Sequence, residues 1–123
     1  MPNEQFASLL KSFGHGNTLA AVSFVPGATP TIIDQLGVKS VARNGGAGLY
    51  RITLNDKYRS FIAIVGHTEN DTTLYHVVRV EARSFTNSTI DISHKSVAFA
   101  SVASGPTASD TVDSIEVFIL AVG

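Results

Sequence analysis

The segment Ser114-Ile115-Glu116-Val117-Phe118-Ile119-Leu120-Ala121-Val122 is apolar on both faces of the strand its pattern predicts. Successive side chains of an extended chain point to opposite sides. Ile115, Val117, Ile119 and Ala121 therefore share one face, and Phe118, Leu120 and Val122 share the other beyond Glu116. A two-layer β domain of this size has only one interior. The second apolar face needs a cover, from elsewhere in the chain or from another subunit, because a contiguous exposed patch of that kind is an association surface.

From Thr18 onward, period-2 patterning and turn residues predict strands near Thr18 to Val25, Val38 to Arg43, Gly48 to Leu54, Ser60 to Val65, Leu74 to Phe85, Thr89 to Ser93, Ser96 to Val102 and Thr111 to Val122. Between them lie turn formers such as Pro26-Gly27, Asn44-Gly45-Gly46, Asn55-Asp56, Asn87-Ser88 and Ser104-Gly105-Pro106. Short strands at this spacing predict an all-β fold, an antiparallel two-sheet sandwich of jelly-roll type. Residues 26 to 37 are expected to form an irregular connection across one end, burying Ile32, Ile33 and Leu36. In Leu74 to Phe85, His76, Val78, Val80 and Ala82 are expected to face in. Tyr75, Val77, Arg79, Glu81 and Arg83 then face out as a solvated, salt-bridged row.

Upstream, Asn3 to Phe13 has the signals of a short helix: Asn3 as cap, Glu4 at the positive end, a stripe of Phe6, Leu9, Leu10 and Phe13, and Gly14 as the stop. About three turns do not persist alone in water, so the stripe packs on its own domain or docks on a neighbouring subunit. Gly14-His15-Gly16-Asn17 is a joint that permits either. The expected organisation is a helix and joint over 1–17 and a β-sandwich domain over 18–123.

Composition narrows the function classes. A chain of 123 residues is one domain by size, and Cys 0 excludes a disulfide framework, a cysteine nucleophile and an iron–sulfur site. Charged residues make up 15%, below the roughly 25% of an average domain. With a formal net charge of -1, no overall field draws the chain to nucleic acid or to an anionic membrane. Met-Pro-Asn-Glu-Gln at the start lacks a basic n-region and an apolar h-region, so no cleaved secretion signal is expected. The longest apolar run, Val117 to Val122, is far short of the roughly 20 residues of a membrane span, and a soluble protein is expected.

Candidate chemistry is sparse. His67, Glu69 and Asp71 have i, i+2, i+4 spacing that would set them on one side of an extended segment, but they lie in Gly66 to Thr73, which reads as a polar hairpin loop. Neither a calcium-loop pattern nor a convergent zinc set is visible there, and the expectation is a solvated tip with no metal. Of the four histidines, His15 falls in a joint, His67 in a loop, His76 in a strand and His94 in a turn, and no Gly-x-Ser-x-Gly elbow accompanies them. Asn44 to Gly48 is glycine-rich but sits between two strands, so it lacks the helix dipole of a phosphate loop. Basic residues are scattered and do not form a nucleic-acid groove. No catalytic residue and no cofactor are expected.

Val38-Lys39-Ser40-Val41-Ala42-Arg43, then Gly46-Ala47-Gly48-Leu49-Tyr50-Arg51-Ile52-Thr53-Leu54, and the closing Asp113 to Ile119 resemble small β-sandwich virion proteins of tailed phages, of the capsid decoration (cement) or fibre-knob type. The resemblance runs from Gly37 to the end of the chain. It implies a non-enzymatic virion protein at the capsid surface, made in the host cytoplasm. Its partners would be itself, as a homotrimer, and the major capsid protein. Phe6, Leu10, Phe13, Phe118, Leu120 and Val122 are the expected subunit interface. The alternatives are a receptor-binding fibre tip using His67 to Thr73 and Ser104 to Asp110, or a carbohydrate-binding module or small hydrolase, for which Trp 0 and Tyr 3 supply few aromatic platforms.

Overall fold

Alternation along the chain becomes burial in the computed structural model, which describes residues 17–122. The helix expected over Asn3 to Phe13, with Phe6, Leu10 and Phe13, lies outside the described residues. Nine strands follow: β1 (Asn17–Val25), β2 (Thr31–Leu36), β3 (Val38–Arg43), β4 (Leu49–Leu54), β5 (Ser60–Thr68), β6 (Leu74–Ser84), β7 (Thr89–Ala98), β8 (Thr107–Ala108) and β9 (Ser114–Val122). A 3-10 helix, Phe99–Ser104, stands between β7 and β8.

The strands form two sheets. One runs β2-β1-β9-β5, and the other runs β3-β4-β7-β6 with β8 added on β7. All pairings are antiparallel. Between the sheets lie Phe24, Tyr50, Ile52, Phe61, Ile90, Ile92, Ile115, Val117 and Ile119, each at most 2% exposed. Each large side chain buried this completely contributes about 1.5–3 kcal/mol relative to exposure, which is what joins the layers. Phe24 and Tyr50 meet edge to face with centroids 5.3 Å apart.

One end of the core is tied to the loop before β9. Tyr50 Oη and Arg43 both donate to Asp110, the Gly48 amide donates to the same carboxylate at 2.7 Å, and the Gly27 amide donates to Tyr50 Oη at 3.0 Å. Burial and the bond to Asp110 push the Tyr50 hydroxyl up to about 12. Gly48 is required here: its φ is +77°, and a Cβ would sit 2.4 Å from the His94 carbonyl oxygen and 2.6 Å from the Ser109 nitrogen.

Several expectations are corrected. Residues 31 to 36 are an edge strand rather than an irregular crossing. Ile32 packs on the core, but Ile33 and Leu36 are 59% and 42% exposed. Thr-Ile-Ile-Asp-Gln-Leu does not alternate, so its pattern hides a strand held by backbone pairing to β1. Gly37 alone, at φ 71°, then carries the chain into the other sheet. The polar stretch Ser93-His94-Lys95-Ser96 is no turn. β7 runs straight through it because the long β6 pairs along the whole of it, and the expected strand beyond Ala98 is instead the 3-10 helix. A bulge between Val80 and Ala82 reverses the expected parity: Ala82 sits opposite Asp91 and Arg83 opposite Ile90, where Arg83 donates to the Phe61 carbonyl at 2.6 Å.

Candidate functional site

Two regions have chemistry that the fold leaves open: the outer face of the β2-β1-β9-β5 sheet, and one end of the interlayer space. On β9 the expected division of faces is what the burial shows. Ile115, Val117, Ile119 and Ala121 are fully buried, Phe118 is 45% exposed, and Leu120 and Val122 are half-buried. Register extends the patch sideways. Phe118 lies between Ala21 of β1 and Ile64 of β5, with Leu36 of β2 beyond Ala21, and Leu120 lies between Leu19 and Ile62. Ile62 and Ile64 are 52% and 66% exposed. The sequence signal for these two is the run Phe61 to Val65, apolar on both faces like β9.

A polar row bounds the patch. Glu116 accepts from Ser23 Oγ at 3.0 Å and from Thr68 Oγ1 at 2.9 Å. A depression of about 170 Å³, lined by Ala21, Ser23, Asp34, Leu36, Glu116 and Phe118, interrupts the face beside Phe118.

At the end of the sandwich, His67 of β5, His76 of β6 and His94 of β7 meet between the layers. The connection from β5 to β6 is a crossing from one sheet to the other rather than the expected hairpin, and that crossing brings strands of both layers to one point. Ring centroids of His76 and His94 are 5.1 Å apart in a stacked pair, and His67 lies 5.6 Å from His76. Glu69 and Asp71, in the crossing, turn back toward these rings. His76 Nε2 is 2.6 Å from Asp71 Oδ2 and 3.0 Å from Glu69 Oε2. Asp71 is fixed from behind, because its Oδ1 accepts from the Leu74 amide at 3.0 Å and the Thr73 amide at 3.3 Å.

Hydrogen-bond direction sets the tautomers. His94 Nδ1 lies 2.6 Å from the Ser109 carbonyl oxygen, which only accepts, so Nδ1 carries the proton. Burial holds the His94 pKa down and keeps the ring neutral, leaving Nε2 as an acceptor. His76 Nδ1, 2.8 Å away, must then donate to it. The relay ends on a backbone carbonyl, so it fixes ring orientation and activates no hydroxyl. His76 Nε2 consequently faces two carboxylates. The bond from His76 holds the Asp71 carboxyl below its ordinary range.

Of the sequence candidates, the structure joins His67, Glu69 and Asp71 in one cluster and adds His76 and His94. The β7 alternation Ile90, Ile92, His94, Ser96 was the available signal for His94. Phe118, Leu120 and Val122 share one surface, while Phe6, Leu10 and Phe13 lie outside the described residues. Among the described residues no helix is long and apolar enough to cross a membrane. Compared with protein families, curated proteins and solved structures, the chain matches none.

Proposed function

We propose that this protein is a non-enzymatic assembly component of a phage particle, one that decorates or cements the capsid as a homotrimer seated on the major capsid protein. The observation that carries the reading is the exposure of Phe118, Ile62 and Ile64 side by side on two paired strands. Four strands about 4.8 Å apart, three of them nine residues long, make a face of at most about 20 by 30 Å, roughly 600 Å² against the about 800 Å² per partner of a standard interface. A second copy of the chain is the occupant we assign to it.

A closed ring of three needs two different patches per copy. The second patch is Tyr75, Val77, Phe99 and Val102, each 46–54% exposed, with the Tyr75 and Phe99 rings 4.2 Å apart. Jelly-roll character is supported by the nesting of antiparallel pairs, β4 with β7 inside β1 with β9. The helix expected over Asn3 to Phe13 would enter through Asn17, which pairs with Val122 at the margin of the apolar face. The virion assignment rests on the sequence resemblance.

Light scattering tests the assembly. A mass near three chains is expected, with Phe118→Asp converting it to one, and a monomeric parent protein at micromolar concentration overturns the reading. Co-sedimentation with empty capsids supports decoration. Binding to purified host cells without capsid binding would move the function to a receptor-binding tip.

A further inference from the structure

The geometry points to a divalent transition-metal site of zinc type, formed by His76 Nε2, Asp71 Oδ2 and Glu69 Oε2 with His67 Nδ1 as the fourth donor, that staples the two sheets together. One ligand atom each from Glu69, Asp71 and His76 lies within 4.8 Å of the others. Around a tetrahedral ion with bonds of about 2.0–2.2 Å, ligand atoms stand about 3.3 Å apart. Here His76 Nε2 is 2.6 Å and 3.0 Å from the two carboxylates, so small displacements bring these three donors to that geometry, while His67 Nδ1, 3.5 Å from Glu69 Oε2, stands outside this group of three and would join as fourth donor by turning its partly exposed ring toward the ion.

Three further observations separate this cluster from an ordinary ion pair. His67 Nδ1 is buried and has no hydrogen-bond partner, although it points at the same Glu69 oxygen. The His76 side chain is 0% exposed, and its Nδ1–H is committed to His94, which is committed in turn to the Ser109 carbonyl. That outward hydrogen bond is the support by which proteins hold a ligating imidazole in the right tautomer. Charge closes the argument: two carboxylates and two neutral imidazoles balance a dication, whereas an imidazolium at His76 would leave one negative charge over.

Two nitrogen and two carboxylate donors suit zinc rather than calcium, which takes six to eight oxygens. Glu69 and Asp71 are 31% and 29% exposed, so an ion enters from solvent. The site's ligands come from β5, the crossing and β6, so an ion there joins opposite layers. This role is independent of the apolar face and of the assembly reading.

The test is calorimetric titration of the chelator-treated full chain with zinc chloride. One ion per chain at micromolar affinity or tighter is expected, and cobalt(II) should give the visible absorption of a tetrahedral centre. Glu69→Gln and His67→Gln alter partly exposed side chains and should each weaken zinc at least tenfold with the circular dichroism unchanged, while His15→Gln should leave binding as it was. Absence of zinc binding, equal affinity for calcium, or indifference to both Glu69→Gln and His67→Gln would overturn the site.

Discussion

Two regions on the outer faces of this sandwich obey the same alternation rule and end in opposite states. On the β3-β4-β7-β6 sheet, Arg51 pairs with Asp91 at 2.7 Å, and Arg79 pairs with Glu81 at 2.6 Å while Ser93 Oγ donates to Glu81 at 2.6 Å. That region of the face satisfies itself in water. On the β2-β1-β9-β5 sheet the equivalent positions hold Phe118, Leu120, Ile62 and Ile64, partly exposed apolar side chains that make no such polar pairs. Neighbouring residues of one strand therefore meet different surroundings, Ile119 the core and Phe118 the solvent-facing side, where the proposed assembly would place a second copy.

The sharpest way to break that division is to truncate both neighbours. Ile119→Ala should lower the unfolding free energy by about 2–5 kcal/mol in urea titrations, the usual loss for an aliphatic core residue. Phe118→Asp should instead leave the dilute chain's unfolding within about 1 kcal/mol of the parent while abolishing oligomers. Comparable unfolding losses from the two would mean that Phe118 is a core residue, contrary to its exposure.

Next in size, Ile62→Thr with Ile64→Thr keeps β-branched strand formers and removes apolar area from the face. Self-association should weaken at least tenfold, about 1.4 kcal/mol, by analytical ultracentrifugation. An unchanged dissociation constant would confine the interface to β9 and β1.

The charged face should respond least. Arg51→Ala is expected to shift the urea midpoint only slightly, and that shift should vanish in high salt, because an exposed pair is screened. Oligomer mass should not change. A large loss would show that a partner covers this charged region of the face as well as Tyr75 and Val77.

Acid gives the finest comparison. Hydrogen bonds from Arg79 and Ser93 lower the Glu81 carboxyl to about 2. A carboxylate held below its ordinary value stabilises the fold above that ordinary value and loses the contribution as pH falls toward about 2. A small decline in stability between about pH 5 and pH 2 is therefore expected to shrink in Glu81→Gln. An identical decline in parent and variant would assign it elsewhere.

Much of the architecture was legible because strand alternation is local. The buried and exposed sets of β9 follow from counting by two, as does the turn at Asn44 to Gly48, where the Asn44 amide donates to the Leu49 carbonyl at 2.8 Å. β2 escaped notice because an edge strand that buries little need not alternate. The bulge near Glu81 escaped because one extra residue in a strand leaves no mark in the pattern, yet it turns every later side chain to the other face.

The histidine cluster divides along the same line. Spacing put His67, Glu69 and Asp71 together as a candidate, and alternation could turn His76 and His94 inward, but neither pattern said that the three histidines meet. By itself the sequence determined which residues are apolar, where the chain must turn, and that its last strand has two apolar faces, since these depend on neighbours a few positions apart. Only the tertiary structure decided that β5 ends in one sheet and β6 begins in the other, and so which histidines meet. That choice depends on how two whole sheets bury their inner faces against each other, a balance summed over the entire core and written in no single segment.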